Sequence, residues 1–231
     1  MIEYRYLQPQ DAKAAADIHI EGQPGTTLTL LGNRFLVELY RAVYHSQWAE
    51  GIGVFDGSRL VAQAAIAVSS ANFFAEFKIR YLWRVAGPVA LSILRNPAII
   101  NYVVQGWGYA NQTQSPEGEC DVIFLGVQRD YARHGLGPEL VRHMFGWANL
   151  IGLKSANFMI EKRNRPMRWM IGQLKELYIA HEFEAYGRQM LFYKVPIAPN
   201  LTDAKMPLGQ PHTVTYTHSK NGKGPSLETG Y

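Results

Sequence analysis

Two glycines, Gly135 and Gly137, carry the clearest chemical signal in this 231-residue chain. They stand between an apolar run at 122–127, which favours a buried strand, and a segment with helical periodicity. Pro138 suits the first position of such a helix, because its missing N–H has no partner there in any case. A glycine turn at a helix start presents unpaired N–H groups and a partial positive charge, which bind phosphate or pyrophosphate. The same glycines also fit a plain turn, and the pattern by itself leaves both interpretations open.

The helix predicted after the glycines has a single apolar face. Residues at spacings of three and four form it, namely Leu136, Leu140, Met144, Ala148 and Ile151. Gly152 then gives the helix a stop signal. The sequence therefore predicts a strand, a glycine turn and a helix in immediate succession.

This strand–turn–helix segment resembles the acyl-CoA-binding segment of the GNAT family of N-acetyltransferases. The family motif is Gln or Arg, any two residues, Gly, any residue, then Gly or Ala, and Gly135-Leu136-Gly137 matches its glycine part. Ala132 stands where the family usually carries Gln or Arg, with Arg133 next to it. Pro138 is a further departure, because it removes one N–H group that would otherwise point at the pyrophosphate.

Two later features extend the resemblance. Asn164 follows a predicted strand at 155–160, and the segment from Tyr178 to Phe183 resembles the family's Tyr-x-x-x-Gly-Phe with Glu182 in place of glycine. The interval from Asn164 to Tyr178 is about two helical turns longer than usual, which keeps the helical face in phase. The resemblance covers about residues 1–195 in layout and is specific within 121–183.

The resemblance implies an α/β fold, with a mixed central sheet of about six to seven strands and helices on both faces. It implies acetyl-CoA as co-substrate, held where the fourth and fifth strands splay apart. The pantetheine arm would bond to the main chain of Leu125, Gly126 and Val127. The pyrophosphate would lie against the N–H groups of the turn, in the segment Arg133, His134, Gly135, Leu136 and Gly137. Arg133 or His134 would be free to add charge. Asn164 would cap the next helix, bind the pantetheine, or do both.

Acetyl transfer to an amine requires a neutral amine and benefits from a proton for the departing thiolate. By resemblance, Tyr178 is the general acid, since a phenol with a pKa of ~10 can donate a proton at neutral pH. The alternative is a helix tyrosine that packs on Leu174 and Leu177 at the end of an apolar stripe.

Three carboxylates are candidates for the general base. Glu119 and Asp121 are two residues apart at the start of the predicted central strand, and so lie on the same face. Glu161 follows the next predicted strand. The alternative for each is a simply solvated carboxylate at a strand end.

The remaining chain predicts the elements around this segment. Alternation of Ile2, Tyr4 and Tyr6 with polar residues indicates a first strand, and helices are expected at 12–21 and about 31–45. The pair Asp56-Gly57 indicates the turn of a hairpin between 51–55 and 60–68. After a helix from 165 to 178, strands at 183–186 and 189–195 close the sheet.

An aromatic-rich stretch at 71–106 predicts an insertion of one or two helices, broken near its prolines. Its basic residues would allow contact with a membrane surface or a lipid-like substrate, namely Lys78, Arg80, Arg84 and Arg95. The favoured interpretation is an extra helical layer over the acceptor side or a homodimer face. One domain is thus expected at 1–195, followed by a C-terminal extension at 196–231 that is partly disordered or packed on the domain or a partner.

Composition narrows the class of protein. Apolar residues make up 47% and charged residues 18%, which allows a sizeable core. The single cysteine, Cys120, excludes an internal disulfide framework, and without a recognisable signal peptide the expected location is cytoplasmic. The net charge of +4 fits an anionic cofactor, while no basic run or base-stacking pattern predicts a nucleic-acid partner. The histidine spacings predict no metal site.

Together these features predict an enzyme, an N-acetyltransferase that moves an acetyl group from acetyl-CoA to a primary amine of a small molecule. Amino sugars, polyamines and amino acid derivatives all remain open as acceptors. The departures at Ala132, Pro138 and Glu182 leave an alternative, an acyl-CoA-binding or interaction protein of the same fold that lacks transferase activity.

Overall fold

The computed structural model describes residues 1–100, 116–185 and 187–211, and these ranges contain both strands and helices. The strands are β1 (Ile2–Tyr6), β2 (Ala49–Asp56), β3 (Arg59–Ala67), β4 (Glu119–Val127), β5 (Ser155–Glu161), β6 (Tyr178–Ala185) and β7 (Arg188–Pro196). The helices are α1 (Ala12–Gly22), α2 (Thr27–Leu30), α3 (Asn33–Val43), α4 (Ser70–Arg95), α5 (Leu136–Leu150) and α6 (Arg165–Ile171). Short 3-10 segments lie at Pro9–Asp11, Arg129–Tyr131 and Ala198–Asp203.

The strands form one seven-stranded sheet in the order β1-β2-β3-β4-β5-β7-β6. Only β4 and β5 run parallel within this sheet, and every other neighbouring pair is antiparallel. The hairpin between β2 and β3 turns at Gly57, whose φ of 59° suits the glycine of the predicted Asp-Gly turn. The mixed sheet expected from the sequence is therefore confirmed.

Each face of the sheet carries its own apolar core. Successive residues of β3 point to opposite faces, so Ala64 and Ile66 join the core beneath α5, while Ala65 and Ala67 join the core beneath α1, α3 and α4. Small side chains on this central strand let the helices approach closely on both sides. The core beneath α5 contains Leu140, Met144 and Trp147. The core beneath α1, α3 and α4, called the α3–α4 core, contains Leu36, Leu39 and Phe73.

The predicted insertion contains one long helix. The expected break at Pro88 is wrong, because α4 runs without interruption from Ser70 to Arg95 with Pro88 inside it. Packing outweighs the lost backbone hydrogen bond, since the buried face of α4 lies against α3 through the edge-to-face pair of Phe35 and Phe77, 5.9 Å between centroids. Residues 101–106 of the predicted insertion lie outside the described residues.

The prediction of one long helix at 165–178 is also wrong. Helix α6 ends at Ile171, Glu176 takes a left-handed φ of 56°, and Tyr178 begins strand β6 opposite Lys194 of β7. The helical periodicity of the sequence is local, whereas pairing with β7 from Arg188 to Lys194 supplies backbone hydrogen bonds that only the folded sheet provides.

Residues 197–211 pack back on the sheet and on α5. Leu208 donates its N–H to the carbonyl of Tyr4 at 2.7 Å and accepts from the N–H of Tyr6 at 3.3 Å, beside the outer edge of β1. Lys205 pairs with Glu139 of α5. Residues 212–231 of the predicted extension lie outside the described residues. No helix in the described ranges combines the length and apolar composition needed to cross a membrane.

Candidate functional site

The two parallel strands of the sheet separate part-way along their length. Their pairing runs from Glu119 opposite Ser155 to Val122 opposite Phe158, yet β4 continues to Val127 and β5 to Glu161. A bulge accompanies the separation, because consecutive residues of β3 pair with Phe124 and Val122 and skip Ile123. The β4 edge beyond Val122 therefore faces an opening, where an extended ligand can hydrogen-bond to it as an added strand.

A cavity of about 770 Å³ occupies this opening. Much of its wall is formed by β4 from Asp121 to Leu125 and by β5 from Asn157 to Glu161. Asn164 and Met167 border it after β5, and it continues on the other face of the sheet between α3 and α4. Its size suits a small-molecule or cofactor site.

A chain of polar side chains lies where the strands separate. The Ser70 hydroxyl at the start of α4 donates to Asp121 Oδ2 at 2.6 Å. The Asn157 amide, placed by the cross-strand pairing of Asn157 with Asp121, donates to Asp121 Oδ1 at 3.1 Å and to Glu119 Oε2 at 3.0 Å. Lys194 Nζ donates to Glu119 Oε1 at 2.7 Å. Asp121 is buried and lines the cavity, while Glu119 lies one step behind it.

The third candidate carboxylate, Glu161, also lines the cavity but is tied to arginines. Arg188 Nη1 donates to one Glu161 oxygen at 3.1 Å, and Arg163 pairs with the other. Arg188 also donates to the carbonyl of Gly25 at 2.9 Å, which fastens the connection after α1 to this end of β5. An incoming amine would have to displace a guanidinium to reach Glu161.

The predicted glycine turn stands at the start of α5. Gly135 caps the helix with a φ of 79°, and Arg133 is left-handed as well, with a φ of 64°. A Cβ on Gly135 would meet no atom within 4 Å, so the turn needs glycine for its backbone conformation and leaves open space beside it. Gly137 is glycine for packing, because a Cβ there would lie 2.8 Å from Met170 Sδ of α6.

The N–H groups of this turn are available to a ligand. Within the described ranges, no chain acceptor receives the N–H groups of the segment Arg133 to Gly137. The Arg133 and His134 side chains are exposed, and Leu136 is buried as an anchor of α5. The chain reaches the turn directly from Leu125, Gly126 and Val127, through one 3-10 segment. A ligand that follows the β4 edge is thus led toward the start of α5, and helix starts of this kind favour anions.

Asn164 fulfils its predicted capping role. Its side-chain oxygen accepts the N–H of Met167 at 3.2 Å, at the first turn of α6. The same residue also borders the cavity, so a cavity ligand would contact the start of α6.

Tyr178 is not brought together with the other candidates. It is 53% exposed, and β7 separates its strand from β5. Tyr178 is absent from the cavity wall formed by the described residues, as is every other tyrosine among them.

Sequence reasoning missed Ser70, Asn157, Lys194 and Arg188. Asn157 alone carried a signal, because it interrupts the apolar strand Ala156–Ile160 with a buried amide. Ser70, Lys194 and Arg188 reach the site only through contacts between elements that are distant in sequence. No group of three or more metal-binding side chains occurs within the described ranges.

A second buried polar group supports the cavity wall from behind. His19 Nδ1 lies 2.9 Å from the Tyr40 hydroxyl, which accepts from Gln63 Nε2 at 2.6 Å. The His19 ring packs edge-on against Phe124, 5.1 Å between centroids, and Phe124 lines the cavity. Burial lowers the pKa of His19 to about 4, so this histidine is neutral at neutral pH.

No protein-family model and no curated protein sequence matches the chain. Solved structures do match it. The ribosomal-protein-alanine N-acetyltransferase from Escherichia coli aligns with a TM-score of 0.55 at 12% identity, over 85% of this chain and 94% of that one. An acetyltransferase of the GNAT family from Streptococcus pneumoniae aligns with a TM-score of 0.54 at 14% identity, over 85% and 99%. A spermidine N-acetyltransferase chimera from Vibrio cholerae aligns with a TM-score of 0.52 at 12% identity, over 87% and 98%.

This chain has the GNAT fold. The resemblance predicted from the glycine turn is therefore confirmed at the level of the fold. At 12–14% identity the likeness extends to the architecture alone, so the chemistry of this GNAT-fold chain has to be argued from its own residues.

Proposed function

We propose that the chain is an acyl-CoA-dependent N-acetyltransferase that acts on a primary amine of a small molecule. The observation that carries this proposal is the opening between β4 and β5 beyond Val122, with a cavity of about 770 Å³ in it. The opening offers an unpaired strand edge at one end of a cavity and carboxylates within it, which a thioester and an amine both require.

Acetyl-CoA would bind along the β4 edge. Its pantetheine arm would hydrogen-bond to the main chain of Leu125, Gly126 and Val127, and its pyrophosphate would accept from the N–H groups of the turn. The exposed Arg133 and His134 side chains flank that turn and would add charge. Asn164 would contact the pantetheine from the β5 side while it caps α6.

In the proposed reaction, the neutral amine nitrogen attacks the thioester carbonyl, a C–N bond forms and the C–S bond breaks. Asp121 would accept the proton that the amine loses, because it lines the cavity at the point where the strands separate. The same carboxyl would then return that proton to the CoA thiolate, which balances the reaction. Glu119 would help to orient Asp121 through Asn157, whereas Glu161 would fix Arg188 at the far end of β5.

Tyr178 takes no part in this scheme. A general acid must come within hydrogen-bond reach of the leaving group, and the exposed side chain of Tyr178, which is not part of the cavity wall, does not meet that condition. The same observation favours the second candidate function, an acyl-CoA-binding protein without transfer, since it removes the expected proton donor.

Calorimetric titration with acetyl-CoA and with pantetheine derivatives that lack the pyrophosphate tests the first step. We expect saturable binding by acetyl-CoA and binding at least tenfold weaker by the trimmed analogues, because the turn would lose its ligand. Absence of binding at millimolar acetyl-CoA would contradict the proposal. Release of free CoA in the presence of a panel of primary amines then separates transfer from binding alone.

A further inference from the structure

The cavity has a second compartment that the acetyl group does not need. It extends away from the β4–β5 opening between α3 and α4, and we call it the apolar arm. Its walls are formed by Leu31, Phe35, Phe77, Leu82, Val85 and Val89.

The apolar arm is a built compartment with an entrance. Phe35, Phe77 and Val85 are buried in the α3–α4 core, which fixes the inner walls. Leu82 is 39% exposed and Ala86 is exposed, although both line the cavity, so the arm opens to solvent along α4. An acceptor that entered along α4 would not have to pass the strand opening, where acetyl-CoA is proposed to bind.

Polar and apolar groups are segregated along the cavity. The carboxylates of the cavity wall, Asp121 and Glu161, lie at the strand opening, whereas aromatic and aliphatic side chains dominate the arm. The connection between α1 and α2 adds the uncharged polar side chains of Gln23, Thr26 and Thr27. Lys78 adds one cationic side chain to the α4 wall. A ligand that matches this distribution has a polar reacting end and an apolar body.

We propose that the acceptor is a primary amine that carries an extended hydrocarbon or aryl group. Its amine lies at Asp121 and its apolar body fills the arm between α3 and α4. This inference rests on the proposed transferase function and names the substrate class of the same site. The arm belongs to the acceptor because it reaches solvent, which the acyl group of a bound donor does not require.

The test is a series of n-alkylamines from ethylamine to octylamine with acetyl-CoA as donor. Each added methylene buried in the arm is expected to raise kcat/KM about fourfold, until the chain reaches solvent. Hexylamine should thus exceed ethylamine by roughly 200-fold. A second series, from acetyl-CoA to octanoyl-CoA with one fixed amine, reports on the donor side.

Ala86→Phe places a bulky side chain in the mouth of the arm, and Ala90→Phe is its matched control. Ala90 lies about one turn further along α4, is exposed and is not part of the cavity wall. Ala86→Phe should lower kcat/KM for hexylamine at least tenfold while ethylamine changes less than threefold. Ala90→Phe should leave both unchanged.

The outcomes separate the inference from the function. Acetyl-CoA binding and transfer with no dependence on amine length would overturn the inference and leave the function standing. A steep dependence on acyl length with a flat amine series would also overturn it, because the arm would then serve the donor. A chain that binds no acetyl-CoA would overturn both.

Discussion

Three carboxylates lie near the strand opening, and their neighbours separate their roles. Glu119 is held by Lys194, and Glu161 by two guanidinium groups. Asp121 accepts hydrogen bonds from Ser70 and Asn157 and forms part of the cavity wall. We therefore assign the amine proton to Asp121, which lines the cavity where the strands separate, rather than to Glu161, which is paired with two arginines.

Asp121→Asn should lower kcat at least 100-fold, since an amide cannot take the amine proton. The substitution preserves shape, and an asparagine can still accept from Asn157 and bond to Ser70, so acetyl-CoA affinity should stay within about threefold. Steady-state CoA release and calorimetry measure the two quantities. Glu119→Gln is the control, expected to cost less than tenfold. Equal activity of Asp121→Asn and the wild-type protein would rule out Asp121 as the proton acceptor.

His19 should make the fold sensitive to acid. Its folded pKa, about 4, is lower than the ordinary value of 6.5, so protons bind more tightly to the unfolded chain. Its stabilising contribution is complete above pH 6.5 and is lost as the pH falls toward 4. Between pH 7.5 and 4.5 the loss is about 2–3 kcal/mol.

Urea unfolding of His19→Gln at the two pH values isolates this effect. The glutamine keeps a hydrogen-bonding group near Tyr40 but does not titrate. Its free energy of unfolding should fall by about 2 kcal/mol less than that of the wild-type protein over the same pH interval. Parallel losses in the two proteins would show that His19 protonates without cost in the folded state.

At the scale of elements, local signals predicted the parts of the fold whose causes are local. The Asp56-Gly57 turn, the Gly135 turn and the cap at Asn164 depend on neighbours in sequence, and the structure has all three. The start of β6 depends on β7, and helical periodicity before Tyr178 gave the wrong element. The Ser70–Asp121 contact spans 51 residues and has no sequence signature.

Gly135→Ala tests the glycine turn, with Gly152→Ala as a matched control at the other end of α5. Both glycines are left-handed, with φ of 79° and 78°, and a Cβ on either meets no atom within 4 Å. Each alanine should cost about 1–2 kcal/mol of unfolding free energy. Only Gly135→Ala should weaken acetyl-CoA binding, by about tenfold, because its strain falls on the N–H groups that are proposed to hold the pyrophosphate. Equal affinities in the two variants would assign Gly135 to folding alone.

At the scale of the molecule, the helices on the two faces of the sheet form different parts of the proposed site. Helices α1, α3 and α4 build the apolar side of the cavity, whereas α5 and α6 contribute their first turns to the proposed cofactor site. The segment at 197–211 braces the second face, because it crosses α5 and reaches the edge of β1. The stability of the sheet face that carries α5 and α6 should therefore depend on residues 197–211, which are far from β4 in sequence.

Gly146→Ala tests this bracing. A Cβ on Gly146 of α5 would lie 2.0 Å from the carbonyl oxygen of Lys205, so the 197–211 segment has to move away from the helix. We expect a loss of about 1–3 kcal/mol in unfolding free energy, since displacement strains the hydrogen bonds of Leu208 to β1.

Gly87→Ala, at an open and exposed site within α4, is the control and should instead stabilise the protein by up to about 1 kcal/mol. Opposite shifts in Tm for these two helical glycines would establish that residues beyond β7 are part of the folded unit, and a stabilising Gly146→Ala would show that they are not.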